Sequence, residues 1–300
     1  MVVLSPVERW LGWTGVDDPE TASSKLRSVR RLTLITIACE GWLALRYVPY
    51  STHPAAYGLV AALLVGCAIV GWRDRFARQA STLAFVLLLG VVVSVFPENA
   101  NHQFLALLLL TLLLLVEPNG DEAHRDSIAA LQSMRWIATI GVFWAGAMKI
   151  YYGYWLGGEF LSLRVATDPG FTWALGFLVP DAELARLLSL RREVGAGPFR
   201  ADAPLLILVS NLTWICELVL PLGLLWSRTR AISMIVTILV FVAIQLGARE
   251  VFFGGLMVGL LSLFARRDRL ATLLPWITGV YVFWLLRPDI LRWMAGGEAG

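Results

Sequence analysis

Apolar residues along this chain gather in long runs separated by short polar turns, with no period-two alternation to suggest half-buried strands. Runs lie near 32–49, 57–72, 81–97, 103–117, 128–151, 203–226, 231–248, 250–265 and 270–287. Each is close to the roughly 17–25 helical residues needed to cross a hydrocarbon core. The pattern predicts an all-α, polytopic integral membrane bundle of about eight to nine hydrophobic helices. Several runs are short, and for one or two a re-entrant segment is the alternative to a crossing.

The polar stretches divide this bundle. Residues 1–31 read as a cytoplasmic, amphipathic N-terminal segment in which SPVERWLGW suits a membrane surface. Residues 32–287 form the transmembrane domain and 288–300 a short tail. Within the domain, 152–202 is the one long connection. It holds Pro169, Gly170, Pro180 and Pro198 with several charges, too polar to span and too apolar for a free linker, and it is expected to be an extracytoplasmic lid or re-entrant segment. No cleavable leader is evident, so the first span is expected to act as the insertion signal.

Basic residues then orient the bundle. Lys25, Arg27, Arg30 and Arg31 precede the first run, placing the N-terminus in the cytoplasm. Alternate counting puts Arg73, Arg75 and Arg78, Arg228 and Arg230, and Arg266, Arg267 and Arg269 on that same side, whereas the loops YSTHPA and PENANH carry no Lys or Arg. The acidic loop EPNGDEAHRDS is a mild exception.

Composition adds exclusions. Apolar residues are 58% of the chain and charged residues 16%, far from a soluble domain's balance, and a net charge of +3 gives no case for nucleic acid. Cys39, Cys67 and Cys216 all sit in apolar runs, so no disulfide framework or metal site is expected. No nucleophile elbow, phosphate-binding loop or zinc-protease motif is present.

Chemistry must then come from polar groups that the membrane makes expensive. His102 opens the fourth run and Lys149 closes the fifth. The two helices run in opposite senses, so both residues are expected near the extracytoplasmic surface, where an imidazole and an amine could exchange protons. The plainer reading is a lysine snorkelling to the headgroups and an interfacial histidine. Ala145 and Gly146 share a helix face with Lys149 and would let a helix or a flat ligand approach closely. Trp144, Tyr151, Tyr152, Tyr154 and Trp155 surround it with rings, as an ordinary aromatic belt also would. Glu40 and Glu217 lie inside runs and call for partners, with Arg46, Arg249 or a backbone group near Pro221 as candidates and structural pairing as the expected role. Arg164 and Asp168 could hold an anion or be solvated.

The basic start RSVRRLTLITIACEGW, Asn101-His102 before a leucine-rich helix, FWAGAMK followed by YWLGG, and ELVLPLGLLWSRTR occur in this order over roughly residues 25–265. Together they resemble the HTTM (horizontally transferred transmembrane) domain family, related to the membrane domain of vitamin K-dependent gamma-glutamyl carboxylase. The resemblance implies a reduced quinone as cofactor, used with O2 and CO2 and without metal. It implies Lys149 as the base that deprotonates the quinol and His102 as its partner, with Asn101, Trp144, Gly146, Tyr152 and Trp155 around the cofactor. A family histidine in the span after RTR is replaced here by Phe241 or Gln245, and Gln245 joins Glu40 and Glu217 as an intramembrane polar residue with an expected structural role. No counterpart of the animal enzyme's large extramembrane domain is expected.

The function implied is quinol-coupled, carboxylase-like modification of a peptide or small carboxylate, at the outer face of a bacterial plasma membrane. A non-carboxylating maturation or redox factor for a secreted peptide, working with a partner redox enzyme, is the first alternative. A non-enzymic lipid-binding or transport protein is the second.

Overall fold

The structure is a computed structural model that describes residues 19–47, 54–95, 101–116, 122–190 and 199–294. The SPVERWLGW segment and the end of the tail lie outside these residues. Every regular element among them is helical. In chain order they are α1 (Pro19–Tyr47), α2 (Pro54–Gly71), α3 (Ala77–Val95), α4 (Asn101–Leu115), α5 (Glu122–Tyr152), α6 (Glu159–Thr167), α7 (Pro169–Leu175), α8 (Asp181–Ser189), α9 (Pro204–Leu225), α10 (Arg230–Ala248), α11 (Val251–Ser262) and α12 (Arg269–Met294). Five stretches are long and apolar enough to cross a membrane: Asp74–Ser94, Asp126–Tyr152, Pro204–Leu225, Arg230–Ala248 and Arg269–Arg287. Gly58–Gly71, His102–Leu115 and Val251–Ser262 are apolar but shorter.

Burial is inverted relative to a water-soluble helix. Along α10, Ile232, Ile235, Leu239, Val242 and Leu246 form an exposed apolar stripe, while Ser233 and Thr237 are buried. Along α9, Leu205, Leu208, Leu212, Val219 and Leu222 are exposed, while Ser210 and Glu217 are buried. Exposed leucine and isoleucine stripes would be a severe liability in water and are the natural surface toward lipid tails. The fold is therefore that of an integral membrane protein.

The chain separates into two compact units. One comprises residues 136–250, and the other residues 17–135 with 251–300. Helix α5 contributes its residues up to Arg135 to the second and those from Trp136 to the first.

In the unit of residues 17–135 and 251–300, α1 is the central helix. It packs on α2, α3, α4, α11 and α12, and it runs unbroken across position 31. It is less apolar than its neighbours because its buried faces carry Lys25, Ser28, Thr33 and Thr36. The two threonine hydroxyls donate to their own helix, to the carbonyls of Val29 and Leu32, both at 2.9 Å. Lys25, fully buried, donates to the carbonyls of Leu263 at 3.2 Å and Ala265 at 2.6 Å. Arg135 donates to the same Leu263 carbonyl from Nε at 3.1 Å and Nη2 at 2.6 Å. Two buried cations thus close the C-terminal end of α11, where orphan carbonyls concentrate negative potential. Asp268 accepts from Ser24 at 2.7 Å, from Ser28 at 2.8 Å and from the Ala271 amide at 3.0 Å, which caps α12. Asp74, in the α2–α3 turn, accepts from Arg30 at 2.9 Å and lies 3.7 Å from Arg27 and 4.0 Å from Arg31. The basic start of α1, the α2–α3 turn and the α11–α12 turn therefore meet at one end of this unit.

In the unit of residues 136–250, the 152–202 connection is a folded cluster of short helices. Leu161, Val165, Phe171, Leu187, Phe199 and Leu206 form its buried core. Asp168 accepts from the Gly170 amide at 2.8 Å, capping α7 ahead of Pro169. Arg164 lies 3.9 Å from Asp168 and over the Phe171 ring, so both charges have local structural uses. Arg249 ends α10 in the left-handed region, φ 56°, with its amide donating to the Gln245 carbonyl. Glu183 accepts from Arg186 at 2.7 and 2.6 Å and from the Asp202 amide at 3.0 Å.

Lys25→Met should leave the Ala265 carbonyl without its lysine donor and lower stability by about 1–3 kcal/mol, read as the unfolding midpoint of the reconstituted protein. Hydrogen bonds from Arg186 hold the Glu183 carboxyl below the ordinary glutamate range, against desolvation and with help from the Asp202 amide. A depressed folded-state value stabilises above the unfolded one, and the contribution is lost as pH falls from about 4.5 toward the lowered folded value. Hydrogen-exchange protection of the Asp202 amide should fall through that acidic window, and Glu183→Gln should remove the dependence.

Candidate functional site

Lys149 lies in the last turn of α5 and Glu217 in the middle of α9. The Lys149 ammonium meets both carboxylate oxygens, at 2.7 Å from Oε1 and 2.6 Å from Oε2. Glu217 is 4% exposed and the Lys149 side chain 17%, so the acid is sealed while the amine remains reachable. Gly146 makes the approach possible. A Cβ there would sit 3.0 Å from the Glu217 Cβ, 3.0 Å from the Trp214 carbonyl and 3.1 Å from Leu218. Helix α9 is thus set directly against the backbone of α5 one turn before the lysine.

After α5 the chain turns sharply through Gly153 and Gly158, with φ 75° and 78°. At Gly158 a side chain would press on Ile207 as well as strain the backbone. Ser210 donates to the Trp155 carbonyl at 2.7 Å and Asn211 to the Leu156 carbonyl at 3.0 Å, pinning this turn to α9. Asn211 also accepts from the Trp214 indole at 2.9 Å. Trp155 so held stacks on Phe160, with centroids 4.7 Å apart, and its ring lies 4.7 Å from the Lys149 ammonium. The result is an amine seated on a carboxylate and faced by an indole. Trp144 and Tyr152 are exposed on α5, Tyr152 in edge contact with Tyr151. The buried Gln245 side-chain oxygen has no hydrogen-bond partner among the described residues.

The other unit holds a second acid–base contact. His102 Nε2 lies 3.4 Å from Glu40 Oε2, outside hydrogen-bonding geometry. Gln103 donates to the other Glu40 oxygen, and the imidazole lies 5.6 Å from the Phe252 ring. Phe252 is in edge contact with Tyr281, whose hydroxyl donates to the Phe252 carbonyl at 3.1 Å and accepts from Thr36 at 3.2 Å. Asn101 opens α4, and its side chain lies outside the described residues.

Each of the four ionisable groups expected to matter thus has a partner among the other three: Lys149 with Glu217, and His102 with Glu40. The Glu217 carboxylate takes Lys149 rather than Arg249, whose guanidinium packs beside Gly170. Neither pairing is among the partners expected for Glu40 and Glu217. A signal for the first was present: Leu206, Ser210, Glu217, Pro221 and Leu224 are the buried positions of α9. Their seven-residue repeat marks a seam facing another helix, and Gly146 marks where such a seam fits. No group of three or more metal-binding side chains occurs among the described residues.

The class these observations define is an all-helical integral membrane protein with an acid–base pair at the end of a crossing helix. No protein-family model, curated protein or solved structure matches this chain.

The geometry makes a stability prediction. Removing one partner of a buried pair strands the other, whereas replacing both with apolar groups avoids that cost. Glu217→Leu should destabilise the reconstituted protein by about 3 kcal/mol, and adding Lys149→Met should recover a large part of the loss. Thermal unfolding of the two single variants and the double variant, treated as a cycle, measures the coupling.

Proposed function

We propose that the protein is a quinol-coupled, carboxylase-like membrane enzyme of the HTTM type, acting on a peptide or small carboxylate, with Lys149 as its base. The observation carrying this reading is the Lys149–Glu217–Trp155 arrangement. It gives a partly reachable amine a buried proton acceptor on one side and an aromatic ring on the other. A flat aromatic cofactor fits such a setting, since Trp155 and the exposed Trp144 and Tyr152 offer ring faces near the end of α5.

The chain's own part in the chemistry is proton handling. Moving one proton from Lys149 Nζ to a Glu217 oxygen, along a 2.6 Å contact, leaves a neutral amine and a carboxylic acid. Net charge at the pair is unchanged, which suits a water-poor site. The neutral amine then accepts a proton from a hydroxyl placed against it, and Glu217 restrains the ammonium so formed. A reduced quinone, when bound, supplies that hydroxyl and, with O2, the stronger base needed to remove a carbon-bound proton before CO2 is captured. Glu40, whose other oxygen accepts from Gln103, lies 3.4 Å from His102 Nε2 and sets that imidazole beside a carboxylate as a second acid–base group.

The proposal includes eight to nine crossings with the N-terminus in the cytoplasm and the Lys149 end outside. The meeting of Arg27, Arg30 and Arg31 with Asp74, and of Ser24 and Ser28 with Asp268, supports it by bringing three arginine-rich segments to one end. Glu40, the partner of His102, lies about 14 Å further along α1 than Arg31.

Quinol oxidation by the purified protein in lipid tests the mechanism, with peptide products followed by mass spectrometry. Lys149→Ala should cost roughly 10²–10⁴-fold in turnover, the usual weight of a positioned base. Undiminished turnover in that variant would remove the mechanism. No oxidation by the native protein with any quinol tried would leave the Lys149–Glu217 contact as a polar lock between helices.

A further inference from the structure

A feature unconnected with either acid–base pair lies in the unit of residues 17–135 and 251–300. An open groove of about 930 Å³ runs between α1, α2 and α12. Its walls are apolar, with Ile35, Ile69, Leu274, Pro275 and Val282 among them. Its hydroxyls are already committed: Ser28 donates to Asp268, and Thr278 donates to the Leu274 carbonyl of its own helix. From Ala271 to Val282 the α12 wall extends about 17 Å, on the scale of an acyl chain.

One end of the groove has the opposite character. Arg31, Trp72 and Arg73 line it there. Arg31 is poorly satisfied by the protein. Its Nη2 stands 4.0 Å from Asp74, which Arg30 already engages at 2.9 Å, and 3.5 Å from the Trp72 carbonyl. Its Nε is buried with no hydrogen-bond partner among the described residues. The guanidinium lies over the Trp72 ring, 4.9 Å from the centroid, and Trp72 and Arg73 are exposed. An indole at this level marks the headgroup region of a bilayer. Two guanidiniums at the mouth of an apolar channel are complementary to one molecular class, a phosphate joined to hydrocarbon.

We propose that this groove is a binding site for an anionic phospholipid, its phosphate held by Arg31 and Arg73 and one acyl chain laid between α1, α2 and α12. Asp74 is held by the hydrogen bond from Arg30, which leaves the Arg31 guanidinium with donors for a phosphate. The site rests on the membrane setting of the fold and is independent of any quinol chemistry.

Native mass spectrometry of the full chain in detergent, titrated with phosphatidylglycerol or phosphatidylcholine of matched chains, tests this. Phosphatidylglycerol should be retained about 10-fold better, and Arg31→Gln with Arg73→Gln should bring it down to the phosphatidylcholine level. Soluble glycerol phosphate should not compete, because it lacks the chain. A Cβ added at Gly279, on the groove wall, meets no atom within 4 Å, so the side chain of Gly279→Leu starts into the channel without a backbone clash. That variant should lose most retention of phosphatidylglycerol, whether or not the arginine variant folds. Equal retention of the two lipids by the native chain, full retention in Gly279→Leu, or displacement by glycerol phosphate alone would each overturn the proposal.

Discussion

Hydrocarbon offers a charged side chain nothing to bond with, so a carboxylate on a crossing helix must find its partner within the protein. In this molecule that requirement decides which helices touch. Glu217 cannot face lipid, and Lys149 lets it face α5 at a distance only a glycine permits. The tight turn after α5, the stacking of Trp155 and the bonds from Ser210 and Asn211 are arranged around that contact. The same rule shapes the other unit, where Glu40 is met by His102 and Gln103 and where buried hydroxyls of α1 are turned onto its own carbonyls.

The helical, membrane-embedded character was legible in the sequence because it depends on run length and apolar content, which no tertiary contact can override. The exposed stripe of α10 shows the same information in three dimensions. Partnerships were less legible. Glu217 needed a cation and Lys149 needed an anion, yet they lie in helices separated by the whole 152–202 cluster, and sequence distance gives no hint of such closeness. Lys25 is a further instance. As one basic residue in a flank rich in arginine it reads as a solvated positive charge, but its ammonium is buried against the end of α11.

The 152–202 segment shows why intermediate composition is informative. Its prolines and charges excluded a crossing, and its leucines and phenylalanines excluded a linker. The structure resolves the tension with short helices whose apolar sides share a core with Leu206 at the start of α9. Arg164 and Asp168, which looked available for a ligand, serve that local fold, one over Phe171 and the other as a cap.

Lys25 and Arg135 both end on the carbonyl of Leu263, which bears on how the protein is made. The unit they close is assembled from two stretches of the chain, with residues 136–250 synthesised in between. While those residues emerge, Lys25 of α1 and Arg135 of α5 await the one carbonyl that they share. The bonds that close this unit at the Leu263 carbonyl therefore form only once α11 has been made, so helices made early are fixed by one made late.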